Sequence, residues 1–174
     1  MALCRGGYSV GSLPEVTIED LASFVPAAPA VTGEPLGLGV VGMPTNVVAS
    51  ASEQRMSGML LGYPVTVRFV PAGFRFEYGD GATRASGTGG ASWSRLGQTE
   101  YTPTPTSHVF AEPGVYPVRA SVEYTASVDF GSGAWRPVPG RVRSTSPAYE
   151  IRIVEVRTAL VERTCLEDPR GPGC

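Results

Sequence analysis

Three residues follow one another in the chain order of a serine hydrolase triad. Gly7-Tyr-Ser9-Val-Gly11 matches the Gly-x-Ser-x-Gly pattern of a nucleophile elbow, and Asp80 and the single histidine, His108, come after it. That mechanism requires a strand before the serine, a helix after it and a large parallel sheet. Only six residues precede Gly7, and the rest of the chain has the pattern of antiparallel strands. We therefore expect a protein that is not an enzyme.

Asp80 and His108 leave several interpretations open. His108 could act as a general base beside Asp80, or the two could form a structural hydrogen bond across a turn. Asp80 with Glu77, or Asp129, could instead bind calcium, which prefers several clustered oxygen ligands. The sequence contains no dense acidic cluster such as Asp-x-Asp-x-Asp, so capping of a turn is the better account of Asp80.

Composition excludes several classes of partner and cofactor. A net charge of −2 gives no basic surface for nucleic acid. No run of eighteen apolar residues is present, so no membrane insertion is expected. One histidine and three dispersed cysteines cannot form a zinc site without carboxylates. We expect no metal and no cofactor.

The cysteines indicate an oxidising compartment. Cys165 and Cys174 bracket a short loop rich in proline and glycine, and a disulfide between them should stabilise the fold by roughly 2.5–3 kcal/mol. Cys4 is left to pair upstream, to join another chain or to remain free. Because Met1-Ala-Leu-Cys-Arg lacks the apolar core of a signal peptide, export would require that a leader has been removed.

The stretch from Gly73 to Gly81 organises the predicted fold. Side chains alternate along a strand, so Phe74, Phe76 and Tyr78 share one face. The strand ends at Gly79-Asp80-Gly81, where glycine permits positive φ and aspartate can bond to its own backbone. This pattern predicts a core strand of an antiparallel sheet.

The rest of the chain is predicted to be all-β, because 22 glycines and 16 prolines separate short runs rich in valine and threonine. In the first half we expect a loose stretch at 1–16, a short helix with Thr17 as its candidate cap, a linker from Pro26 to Gly39, strands at Asn46–Ala49, Gln54–Leu61 and Pro64–Val70, and a turn at Pro71–Gly73. In the second half we expect a long polar insertion at 82–107, a strand from Tyr116 to Phe130, its partner at Trp135–Val142, and a last strand at Tyr149–Val156. A strand of fifteen residues spans roughly 50 Å, so a hairpin at about 122–143 is expected to project beyond the core.

Three blocks occur in order: Phe-Glu-Tyr-Gly-Asp-Gly at 76–81, His-Val-Phe at 108–110 and Pro-Gly-Val-Tyr-Pro-Val at 113–118. Together they resemble the PKD (polycystic kidney disease) domain family, as found in exported proteins of bacterial type. The resemblance covers about 45–157. The insertion at 82–107 and the hairpin at about 122–143 depart from the family pattern.

The resemblance implies an immunoglobulin-like antiparallel β-sandwich of about seven strands. It favours a structural role for His108. In such a sandwich Asp80 and His108 should lie near one another, and Tyr116 should be a corner tyrosine with a buried ring and a hydroxyl bonded to backbone. The division expected is an N-terminal extension at 1–42, the sandwich at 43–157 and a tail at 158–174.

Two aromatic pairs lie outside the core pattern: Trp93 with Tyr101 in the insertion, and Phe130 with Trp135 at the hairpin. They could stack on a sugar or anchor a protein, or they could cover the ends of the sandwich.

We expect a secreted or cell-surface module for recognition, adhesion or spacing within an exported assembly. An accessory carbohydrate-binding domain of a polysaccharide-degrading enzyme is one alternative. A structural subunit of a surface assembly, joined through an edge strand or Cys4, is another. The sequence does not identify the protein or glycan partner.

Overall fold

The computed structural model describes residues 13–156, 165–166 and 169–170. Of these residues, 51% lie in strands and 6% in helices, which confirms the all-β class. Cys4, Ser9 and Cys174 lie outside the described residues. The nucleophile-elbow pattern around Ser9 is therefore not tested. Cys165 is exposed, and its pairing with Cys174 stays a prediction.

The described residues form ten strands and two short helices. A 3₁₀ helix at Glu19–Ser23 comes first. The strands are β1 (Ala30–Glu34), β2 (Leu38–Val40), β3 (Pro44–Ser50), β4 (Gln54–Leu60), β5 (Tyr63–Glu77), β6 (Thr83–Ser86), β7 (His108–Val109), β8 (Gly114–Asp129), β9 (Arg136–Thr145) and β10 (Tyr149–Val154), and helix α1 (Trp93–Leu96) lies between β6 and β7.

The strands form two sheets. The smaller has the order β1-β3-β7, and the larger has the path β2-β10-β8-β5-β4, with β6 paired to β5 and β9 paired to β8. Strands β2 and β10 run parallel, whereas β4 with β5, β5 with β6, and β8 with β10 run antiparallel.

The chain divides into two compact units, and both β5 and β8 contribute residues to each. The extension, sandwich and tail expected from the sequence are consecutive stretches of chain. The two units are each assembled from several separate segments, and the predicted division into extension, sandwich and tail stays a prediction.

The first unit comprises the described residues up to Ala27, Ser52–Ala72 and Glu123–Ser144. It contains β4, the first part of β5, the last part of β8 and most of β9. The buried apolar side chains of β5 and β8 in this unit lie at every second position, as period-two patterning requires. They are Val65, Val67, Phe69, Tyr124, Ala126 and Val128.

Residues 13–27, which we call the closing segment, lie between strands β4 and β9 of this unit. The Phe24 ring covers Gly58 of β4 so closely that a Cβ there would be 2.9 Å from it, and Ile18 packs against Gly140 of β9. The Ser144 hydroxyl of β9 donates to the Pro26 carbonyl at 3.0 Å. The closing segment therefore packs against both strands, and its own apolar side chains Val16, Leu21 and Phe24 are buried.

Polar contacts fix the end of the closing segment. The Gln54 side-chain oxygen accepts from the Ala27 N–H at 2.7 Å, and its amide nitrogen donates to the Tyr124 hydroxyl at 3.1 Å. Burial raises the pKa of Tyr124, and the hydrogen bond from Gln54 acts against this. This buried hydroxyl thus has the partners that buried polar groups require.

Two predictions for the N-terminal region need correction. The linker predicted from Pro26 to Gly39 is wrong for its second half, since β1 pairs with β3 and β2 pairs with β10. The short helix is present, but Thr17 does not cap it as an acceptor. The Asp20 carboxylate instead accepts from the Thr17 N–H at 2.8 Å and from its hydroxyl at 2.9 Å.

The second unit comprises Ala28–Ala51, Gly73–Val122 and the described residues from Thr145 onward. The stretch that organises the sequence provides its centre: Phe76 is 0% and Tyr78 1% exposed, and Phe74 packs against the same cluster. The other buried members are Val47, Ala49, Phe110, Val118, Ala120, Ile151 and Ile153. The predicted aromatic core face is confirmed.

Strand β5 is longer than predicted. A turn was expected at Pro71–Gly73, but β5 continues through it from Tyr63 to Glu77. Buried side chains occupy odd positions up to Phe69 and an even position at Phe76. Proline and glycine are tolerated within strands where the pattern is irregular, so here they mark a change of buried face and not the end of the strand.

The second half of the chain corrects the prediction for the hairpin. Strand β9 pairs with β8 as expected. Residues 123–144 belong to the first unit, however, and Tyr124 and Val128 are buried there. The hairpin therefore contributes to a core and does not project alone into solvent. The insertion at 82–107 contains β6 and α1. It is joined to β3 where the Ala49 N–H donates to the Gly89 carbonyl at 2.8 Å.

A test of the closing segment uses two adjacent residues. Phe24→Ala removes a ring that is 5% exposed, and should lower the free energy of unfolding by about 3–4 kcal/mol. Val25→Ala, at a side chain that is 66% exposed, should change it by less than about 0.5 kcal/mol. Urea denaturation measures both values. Equal, small effects would show that residues 13–27 do not contribute to this core.

Candidate functional site

The structure places Asp80 and His108 together, as the sequence predicted. The His108 Nε2 and Asp80 Oδ2 atoms are 2.6 Å apart. The imidazole stacks on the Tyr78 ring at a centroid distance of 4.3 Å and meets the Phe110 ring edge-on at 4.7 Å. Packing on both rings therefore fixes the orientation of the imidazole.

The remaining bonds of this cluster hold backbone. The other Asp80 oxygen accepts from the Ala82 N–H at 2.9 Å and so closes the turn after β5. The Tyr78 hydroxyl donates to the Thr106 carbonyl at 3.0 Å. Burial, aided by the negative charge of Asp80 and opposed by Arg84, raises the pKa of Tyr78 to about 12.

The charge of Asp80 is stabilised. Burial acts to raise the pKa of this carboxyl, but the hydrogen bonds from His108 and Ala82 outweigh it, so the pKa lies below its ordinary value of 3.8. A carboxylate that is bonded in this way keeps its charge and holds the turn in place.

Tyr116, Gly79 and Gly81 complete this corner. The Tyr116 hydroxyl donates to the Glu112 carbonyl at 3.0 Å, and its half-buried ring is 4.5 Å from that of Phe110. Both glycines have positive φ, and a Cβ on Gly79 would come within 2.9 Å of the Pro117 backbone nitrogen. The five residues predicted to form a structural turn thus lie in the same corner of the second unit.

Trp93 packs inside the insertion. It begins α1, a single turn capped where the Ser92 hydroxyl accepts from the Arg95 N–H. The side chain is 3% exposed, its indole N–H donates to the Thr102 carbonyl at 2.8 Å, and its ring lies 5.7 Å from that of Tyr101. Trp93 therefore offers no free face to a sugar.

Glu34 joins the insertion to the smaller sheet. One of its oxygens accepts from the Trp93 N–H at 2.9 Å and from the Asn46 side-chain amide at 2.7 Å. Beside these groups lies a cleft of about 820 Å³. It is lined by Glu34, Pro35, Leu36, Leu38, Trp93, Ser94, Gln98, Thr99 and Glu100.

The second aromatic pair lies at the end of the β8–β9 hairpin and is more accessible. Phe130 and Trp135 are half-buried, and the Phe130 ring meets Tyr63 edge-on at 6.0 Å. The guanidinium carbons of Arg68 and Arg55 lie 4.6 Å and 5.6 Å from the centre of the Trp135 ring. Arg136 lies 5.8 Å from the centre of the Phe130 ring. We call these six residues the tip surface.

Local bonds position the tip surface. Pairing of β4 with β5 places Arg55 directly opposite Arg68. The Asp129 carboxylate accepts from the N–H groups of Gly131, Ser132 and Gly133 at 3.0–3.1 Å and closes the hairpin loop. The Glu53 carboxylate contacts Arg55 at 2.9 Å.

The sequence predicted the aromatic half of this surface and missed the cationic half. Phe130 and Trp135 could be identified from the sequence because they flank a glycine turn. Arg55, Tyr63 and Arg68, in contrast, come from strands far away in the chain. Their approach depends on the register of β4 and β5, which no local pattern specifies.

Three further observations concern metal ions, membrane spans and known relatives. Among the described residues, no group of three or more His, Cys, Asp and Glu side chains is placed to hold a metal ion. No helix in the same part of the chain has the length and apolar character needed to cross a membrane. No protein-family model matches the chain, and no curated protein matches it.

The role of Asp80 can be tested through pH. Because its pKa is lowered on folding, Asp80 adds stability above about pH 4, and this is lost as pH falls through the lower folded-state value. Asp80→Asn should cost about 1–2 kcal/mol at neutral pH and flatten the decline of stability in acid. Chemical denaturation between pH 2 and 7 measures both. An unchanged acid profile would contradict the assignment.

The two tryptophans should respond differently to truncation. Trp93→Ala should lower the free energy of unfolding by about 3–5 kcal/mol, since the ring is buried. Trp135→Ala should lower it by about 1–2 kcal/mol, mainly through the lost cation–π contacts. Thermal and urea denaturation of both variants gives the comparison. A larger loss for Trp135→Ala would show that the tip surface is part of the core.

Proposed function

We propose that the chain is a non-catalytic, PKD-like recognition module that binds a ligand through the tip surface. The module belongs to an exported assembly, in which it is secreted or lies at the cell surface. Recognition, rather than spacing alone, is the function that the tip surface supports.

Several observations support the PKD-like assignment. The Tyr116 hydroxyl reaches the carbonyl of the fourth residue before it, as the corner tyrosine of immunoglobulin-like sandwiches does. The core strand with its aromatic face precedes the Gly-Asp-Gly turn. The His-x-aromatic block meets that turn through His108, which bonds to Asp80 and stacks on Tyr78.

The tip surface carries the binding proposal. It joins half-buried aromatic rings to guanidinium groups. Tryptophan, tyrosine and arginine are the residue types that dominate binding energy at protein interfaces. Trp93, by contrast, is buried with its indole N–H bonded to backbone.

The bonds of Asp80 and His108 support a non-catalytic function. Both Asp80 oxygens are engaged, and the imidazole is held between two rings. A general base needs reach to a substrate proton. Here the pair serves instead to fix the end of β5 against β7.

A carbohydrate-binding function is a second candidate, because Trp135 remains half-buried at the tip of a hairpin. Stacking on a pyranose requires an open ring face. Since two guanidinium groups lie over the Trp135 ring, this candidate is less well supported than protein recognition.

Binding by wild type and two aromatic variants to a glycan array and an array of extracellular peptides tests the proposal. Trp135→Ala should weaken binding at least tenfold, whereas Tyr101→Ala should leave it unchanged. Glycan binding that depends on Trp135 would favour the carbohydrate-binding candidate. Loss of binding in Tyr101→Ala alone would assign the binding site to the insertion. If neither array yields a ligand, the recognition function fails and a spacer function remains.

A further inference from the structure

We infer that Arg68 is a preformed clamp for a carboxylate, and that the ligand of the tip surface is an acidic segment of a protein. This inference rests on the proposed recognition function and specifies the chemistry of its ligand.

Two contacts hold the Arg68 guanidinium in place. Its carbon lies 4.6 Å from the centre of the Trp135 ring, and its Nε donates to the Ser127 hydroxyl at 3.2 Å. Ser127 itself is buried. Because the stem and the plane are fixed, little side-chain entropy remains to be lost when the guanidinium binds a ligand.

The outer edge of this guanidinium remains available. Within the described part of the chain, the hydrogen bond of Arg68 is made by Nε, and neither terminal nitrogen donates to a protein acceptor. The two terminal nitrogens of arginine match the two oxygens of a carboxylate in a planar, bidentate arrangement. The geometry therefore favours an anion with two coplanar oxygens.

The charge around Arg68 is positive. Arg55 lies opposite it and is bonded to Glu53, while Arg136 donates to the Pro14 carbonyl at 3.4 Å. The Asp129 carboxylate is directed to the N–H groups of its own loop. The tip surface thus concentrates cations on a chain whose net charge is −2, and an anionic ligand complements it.

The contacts favour a protein over a sugar polymer as the source of the carboxylate. Arg68 and Arg55 lie over the Trp135 ring, where a pyranose would stack. Tyr63, 44% exposed and packed on Phe130, offers an apolar neighbour for a second side chain of a peptide. A carboxylate beside an apolar contact is typical of acidic peptide recognition.

Fluorescently labelled oligoglutamate serves as the probe, with oligoglutamine as its neutral counterpart. The wild type should bind oligoglutamate in a salt-dependent manner and should not bind oligoglutamine. Arg68→Lys keeps the charge but removes the planar pair of terminal nitrogens, and should weaken binding about tenfold. Ser127→Ala, which frees the guanidinium plane, should weaken it about threefold. Arg75→Lys, at an exposed arginine of β5 that bonds to Thr83, is the matched control and should leave binding unchanged.

The outcomes separate this inference from the proposed function. Equal binding by wild type and Arg68→Lys, with unchanged circular dichroism, would overturn the clamp. Binding of polygalacturonate but not oligoglutamate would assign the carboxylate to a sugar polymer and overturn the protein source. If Trp135-dependent ligands are found on the arrays but oligoglutamate does not bind, the inference fails and the recognition function stands; if neither is found, both fail.

Discussion

A continuous series of five aromatic rings holds the second unit together. Phe76 and Tyr78 stack with centroids 6.3 Å apart, Tyr78 stacks on His108, His108 meets Phe110 edge-on, and Phe110 packs on Tyr116. These rings come from β5, β7 and β8 and from the residues that directly follow β5 and β7. Burial of a tyrosine is favourable only if its hydroxyl finds an acceptor, so the carbonyl of Thr106 must lie where it does.

This series explains why residues suited to catalysis form a structural corner. An imidazole beside a carboxylate is a catalytic arrangement where the ring can turn towards a substrate. Here two aromatic rings fix the imidazole, and the carboxylate bonds to the backbone of its own turn. The residue types are those of an acid–base pair, but the packing makes them a connection between the end of β5 and the start of β7.

The features that could be predicted from the sequence are those encoded within one strand or one turn. The period-two aromatic pattern at Phe74–Tyr78 and the Gly-Asp-Gly turn each specify local geometry, and along β8 every second residue from Val118 to Val128 is buried. The continuity of β5 could not be predicted, because Pro71 and Gly73 are ordinary turn residues and only packing on either side keeps the strand extended. The closing segment was missed for a related reason: its apolar residues, Leu21 and Phe24, gain their burial from strands that come later in the chain.

The candidate site shows even more clearly that local sequence patterns do not predict contacts between strands. Like charges directly opposite each other on antiparallel strands destabilise the pairing, so local rules argue against Arg55 facing Arg68. Trp135 attracts both guanidinium groups, and Glu53 partly neutralises one of them, which offsets the repulsion without removing it. Folded proteins tend to keep such local conflicts where function requires them. If a ligand carboxylate binds Arg68 as we infer, it would remove the remaining repulsion, and the inferred preference for an anion would then depend on the feature that sequence rules disfavour.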